Sequence, residues 1–128
     1  MAWIETHDDI WEHHKTIRLS RSLKIPIVQT VGHLISLWHF VLRNAWEDAN
    51  LEPWGDDGIE AAARWTGDSG ALIAALRDCG YLDGSIVHGW TDRAGRLVYD
   101  RKRKKEARSL IVRQLSAASP GQSKATVP

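Results

Sequence analysis

The stretch from Asp56 to Trp90 is punctuated tightly enough to leave few folds open. It reads DDGIEAAARW, then Thr66-Gly67-Asp68, then SGALIAALRDCG, then YLDGSIVHGW. The first segment has the apolar spacing of a short helix. Asp68 or Ser69 is placed to cap a second one, because a short side-chain oxygen satisfies the free N–H groups of a first turn. Gly80 falls where that helix should stop, since it takes φ > 0 without a Cβ clash. Asp83-Gly84, between Tyr81-Leu82 and Ile86-Val87, is a hairpin-type turn signal. This order predicts a mainly α fold: a winged helix-turn-helix with a small β-wing.

The charge of the same stretch argues against reading DNA with it. Base-reading side chains belong on the second helix of such a unit, yet that helix offers Arg77 as its sole cation. Across 56–90 the acids Asp56, Asp57, Glu60, Asp68, Asp78 and Asp83 face only Arg64 and Arg77. The cadence and the charge point to different uses.

A chain of 128 residues with 43% hydrophobic content has room for one core. Pro26 favours the first turn of a helix, where its missing N–H costs nothing, and it keeps Ile25 out of helical geometry. One helix, opening near Asp8-Asp9, should therefore end near Leu23, and a longer one should begin at Pro26. In the longer one Ile27, Val31, Leu34, Ile35, Trp38, Val41, Leu42 and Ala45 repeat at helical period. It should be the central helix, with Trp65, Leu72, Ile73, Leu76 and Leu82 packed against it. Polar interruptions such as Gln29, His33 and Arg43 exclude a membrane span. Trp3-Ile4-Glu5 reads as a short strand or an arm whose indole plugs the core.

Cysteine usage and the opening residues point to a cytoplasmic protein. Cys79 is the single cysteine, which excludes an internal disulfide and CxxC zinc sites. It lies on an apolar helix face and reads as a small buried hydrophobe. No basic-then-apolar leader opens the chain.

Net charge of +1 conceals a segregation. Residues 93–113 carry nine Lys or Arg against Asp100 and Glu106, a balance of +7, so the rest of the chain carries −6. These boundaries divide the chain into a winged-helix domain at 1–92, a basic C-terminal helix at 93–115 and a disordered tail at 116–128. The tail, SAASPGQSKATVP, is small, polar and proline-containing. In the basic helix RKRKKE precedes Ala107, Leu110, Ile111 and Leu115, an apolar set too small to be buried within one helix. That predicts a symmetric homodimer built from the terminal segments.

Enzymatic and metal chemistry find little support. His13 and His14 are adjacent and diverge, His33 and His39 fall on nearly opposite helix faces, and neither HExxH nor a glycine-rich phosphate loop occurs. The expectation is a non-enzyme without catalytic residue, metal or cofactor. The run Arg101, Lys102, Arg103, Lys104 and Lys105, with Arg108, suits double-stranded DNA through its phosphates, because such a run releases counterions regardless of base sequence. Lys15, Arg18 and Arg21, together with Lys24, form a second basic set. TIRLSRSLKIPIVQTVGHLISLW also has a helix-turn-helix look, which would offer Gln29, Thr30 and His33 to bases or phosphates.

HKTxRLxRxL, xVGHLxxLWxF, WxGDxxALIxALxxCGYLD and the closing HGW together resemble small phage and prophage proteins grouped with the winged-helix N-terminal domain of DnaD-like replisome organisers. The resemblance covers about Trp3 to Trp90 and the basic helix. It implies DNA binding, self-association and contact with a replication initiator or helicase loader. The expected function is that of an accessory of phage or plasmid-type DNA replication. A transcriptional regulator and a protein–protein adaptor that never touches DNA are the alternatives.

Overall fold

The computed structural model describes Thr6 and residues 8–118, apart from the side chains of Asp92 and 116–118. Among these residues the chain is mainly helical, with five helices and one two-stranded antiparallel sheet. Trp3-Ile4-Glu5 lies outside them.

Asp8–Trp11 forms a 3-10 turn and not the expected start of the first helix. Helix α1 (His14–Leu23) begins later, with the His13 side chain accepting from the Lys15 N–H. It stops at Lys24, whose backbone is left-handed at φ 57. Helix α2 (Ile27–Asn44) starts one residue later than expected, with Pro26 as its extended N-cap. Val31, Leu34, Leu37, Trp38, Val41 and Leu42 are buried along α2. Leu37 lies off the main stripe, which is why α2 is covered on more than one side. Leu19 of α1 joins Leu72, Ile73 and Leu76 of the fourth helix in the same core, while Trp65 is only half-buried.

Helices α3 (Gly55–Ala62) and α4 (Ala71–Asp78) follow, joined by a turn, and β1 (Leu82–Asp83) pairs with β2 (Ile86–Val87). Gly84 and Ser85 close the hairpin, Gly84 at φ 66, where a glycine is favoured. A bridge from Asn50 to Ile86 extends the sheet, with the Leu51 N–H donating to the Ser85 carbonyl and the Val87 N–H to that of Ala49. Periodicity gives no warning of this bridge, because a single paired residue has no alternation to read.

The expected cap of α4 is corrected. Neither Asp68 nor Ser69 holds it; Gly70 is the N-cap and lends no side chain. Glu60, from the far end of α3, is buried and accepts from the N–H groups of Gly70, Leu72 and Ile73 at 2.9, 2.9 and 3.1 Å. Its negative charge also suits the positive end of the α4 dipole. One carboxylate thus fixes the angle between α3 and α4. Gly67 is needed in the turn, since a Cβ there would collide with the Trp65 indole.

Helix α5 (Trp90–Ala118) begins earlier and ends later than 93–115. Ser116, Ala117 and Ala118 are helical, in place of the expected disorder from 116, and 119–128 lie outside the described residues. The start at Trp90 has a cause: its indole N–H donates to the Trp46 carbonyl at 2.8 Å, pinning α5 to the end of α2. Ala94 and Val98 are buried and Leu97 packs on the core. Tyr99, the next residue along, is exposed.

Candidate nucleic-acid interface

Helix α5 carries its cations in two states. Arg101 turns inward: its guanidinium donates to the Leu42 carbonyl at 3.0 Å and stands 5.4 Å from the Trp46 ring centre. Lys105 donates to Glu47 at 3.1 Å. Both sit on the row of Ala94 and Val98, where a helix returns a side chain to the same face every three or four residues. Lys102, Arg103 and Lys104 are exposed, and among the described residues no side-chain ion pair or hydrogen bond engages them. Arg108, also exposed, reaches among the described residues the Lys104 carbonyl, at 3.5 Å.

The second basic set scatters. Lys15 donates to the Gly80 carbonyl at 3.4 Å and lies 5.9 Å from the Tyr81 ring centre. Arg18 pairs with Asp78 at 3.7 Å, both exposed. Arg21 is exposed without a described partner. Lys15 and Arg18 therefore tie α1 to the end of α4 and to Gly80-Tyr81 beyond it, and among the described residues Arg21 and Lys24 are the exposed members of the set without a side-chain partner.

Of the three candidate contacts on α2, two are turned inward. Thr30 is buried, with its hydroxyl donating to the Pro26 carbonyl at 3.1 Å. The His33 Nδ1–H donates to the Ala63 carbonyl at 2.8 Å, leaving Nε2 to accept from the Gln29 amide at 3.3 Å. Thr30 and His33 thus serve the packing of α2, and Gln29 is the exposed member of the three.

Arg77 is the decisive case. Its guanidinium grips Asp56 through two hydrogen bonds, at 2.8 and 3.3 Å, and its Nε–H donates to the Gly84 carbonyl at 2.8 Å. The sole cation of α4 therefore staples the start of α3 to the hairpin turn. A bidentate pair of this kind fixes geometry and leaves few donors for a base.

Two other groups are displaced from ordinary acidity. Burial pushes the Cys79 thiol up, against the opposing pull of Arg18, which makes it a poor nucleophile. Burial also raises Tyr81, partly offset by its 2.7 Å hydrogen bond with Thr16. Among the described residues no group of three or more His, Cys, Asp or Glu could hold a metal ion. Nor is any single helix there long and apolar enough to cross a membrane.

Comparison with known protein families, with curated proteins and with solved structures yields no match to this chain. What the chain does must therefore follow from its side chains and their placement.

Proposed function

We propose that this chain is a non-enzymatic, DNA-associated winged-helix protein that holds duplex phosphates with α5. In this reading α3 and α4 are the helix-turn-helix, and β1, β2 and the Asn50 bridge are the wing. The observation that carries it is the contrast between Lys102, Arg103 and Lys104, without side-chain partners among the described residues, and Arg77, tied to Asp56 and the Gly84 carbonyl. Cations with no internal partner neutralise phosphates without first breaking a bond. The resemblance to DnaD-like replisome organisers favours, in this reading, a cytoplasmic role in phage or plasmid-type replication over transcriptional regulation.

We place self-association in the far end of α5. Val112 and Leu115 follow Lys105 at i+7 and i+10, so they continue the face that packs on the body, yet they are 61% and 63% exposed. Ile111 lies beside them, 54% exposed. A second α5 is the proposed cover, and an isologous pairing would set two basic clusters on one duplex. A monomer by light scattering at high micromolar concentration would remove this part.

The test of the main reading is salt-titrated binding to duplexes of unrelated sequence. Replacing residues 101–105 by Ala should weaken all of them alike. It should also flatten the salt dependence, by roughly one unit of slope for each phosphate no longer neutralised. Absence of duplex binding by the wild-type protein at low salt would leave the adaptor reading, which the exposed Glu52, Asp56 and Asp57 favour.

A further inference from the structure

A groove of about 540 Å³ runs between α2 and α3, and it opposes the acidic trend of its surroundings. Its walls include His39, Arg43 and Arg64 but no carboxylate. All three are exposed, and among the described residues none has an ion-pair or hydrogen-bonding side-chain partner. Glu47, in the turn that follows α2, is paired with Lys105 and not with Arg43. Arg64 reaches the groove from a backbone at φ 60, a conformation that a non-glycine residue adopts at a cost.

The same groove holds aromatic surface. Trp54 is 38% exposed, and its ring makes a T-shaped pair with Phe40 at 5.4 Å between centres. A Cβ at Gly58 would lie 2.9 Å from the Trp54 Cβ, so the glycine lets the tryptophan seat against α3. The result is a partly exposed indole sharing one groove with two arginines that have no ion-pair partner among the described residues, while Trp54 also borders a hollow lined by Glu47 and Asp48.

We propose that this groove binds single-stranded nucleic acid, with a splayed base against Trp54 and phosphates on Arg43 and Arg64. An aromatic platform beside backbone-tracking cations is how sequence-tolerant single-strand sites are built. A duplex cannot use the platform, because its bases are already stacked on one another. An acidic peptide would satisfy the arginines and leave the indole without a matching flat face. The inference goes beyond the duplex reading and uses none of its α5 residues.

The test is anisotropy of a labelled oligothymidylate at low salt, alongside a labelled duplex. Trp54→Ala should weaken oligothymidylate binding roughly five- to hundred-fold, the span of one missing base stack, and leave the duplex within about twofold. Trp54→Phe should restore most of the affinity. Arg43→Ala with Arg64→Ala should weaken the same ligand and lower its salt slope, and these exposed changes serve if Trp54→Ala fails to unfold cooperatively. Wild-type affinity in the folded Trp54→Ala protein, or displacement of the oligonucleotide by charge-matched polyglutamate, overturns the proposal. So does an equal loss for both ligands. Absence of oligothymidylate binding with duplex binding intact sinks this groove alone; the reverse sinks the α5 reading alone.

Discussion

Helices α4 and α5 differ less in sign of charge than in what their charges are doing. On α4, Arg77 commits its donors to Asp56 and the Gly84 carbonyl, and the helix N-terminus is closed by Glu60 from beneath. On α5, Arg101 and Lys105 are engaged in the same way, but Lys102, Arg103 and Lys104 are not. A count of cations therefore overstates the surface available to a ligand on both helices. Availability is set by internal partners, and these divide a run of five basic residues by helical face.

Both helices contribute side chains to the core that α2 runs through, so the largest effect comes from disrupting its buried face. Leu34→Asp or Trp38→Asp places an unpaired charge among residues with almost no solvent contact. The cost is several kcal/mol against a total stability of ~5–15 kcal/mol. Neither variant should show cooperative thermal unfolding by circular dichroism. Cooperative melting in both would mean that α4 and α5 do not share this support.

Next comes the inward half of the contrast. Glu60→Ala leaves three N–H groups at the start of α4 without acceptors, two of them buried. Unsatisfied buried donors cost about 1–3 kcal/mol each, and water entry relieves part of that. A drop of about 2–4 kcal/mol in urea denaturation is expected, with Glu60→Gln intermediate because one oxygen still accepts. A variant as stable as wild type would return the cap to Asp68 or Ser69.

The outward half is tested by splitting the basic run by face. Lys102, Arg103 and Lys104 changed together to Ala should lower the salt slope of duplex binding by about 2.7 and leave thermal stability nearly unchanged. Arg101→Ala should do the converse, giving up about 1 kcal/mol of stability with its bond to the Leu42 carbonyl and little of the slope. Equal losses of slope per residue at all five positions would show that the internal partners of Arg101 and Lys105 give way to DNA.

How much of this was legible in advance follows from the range of each interaction. The buried face of α2, the break at Pro26 and the burial of Cys79 are local patterns that appear where the sequence places them, and the hairpin after Gly80 forms with its turn one residue later, at Gly84-Ser85, with Asp83 paired to Ile86. The Glu60 cap spans 10 to 13 positions and replaces a local candidate with nothing in the sequence to mark the exchange. Arg101 meets Leu42 across 59 positions, so a charge run reads as evenly solvated until the fold supplies the partner. The α2–α3 groove was missed for the same reason. His39 and Arg43 recur at one helical turn, but Trp54 and Arg64 join them only through packing.

Arg77 gives the smallest effect and the sharpest discrimination. Its ion pair with Asp56 is more than a third exposed on both sides, so solvent screens it and the pair contributes at most about 1 kcal/mol. The bond to the Gly84 carbonyl adds a similar amount, because it ties a turn that has few other anchors. Arg77→Ala should therefore lower the unfolding free energy by about 1–2 kcal/mol and loosen the hairpin, seen as faster amide exchange at Leu51 and Val87. Those two N–H groups donate the hydrogen bonds that join the hairpin to 49–51. Duplex affinity and its salt slope should stay at wild-type values, since a side chain already committed to Asp56 contributes nothing to a phosphate. Loss of duplex binding in this variant, with the fold intact by circular dichroism, would mean that the guanidinium leaves Asp56 on binding and that α4 reads DNA after all.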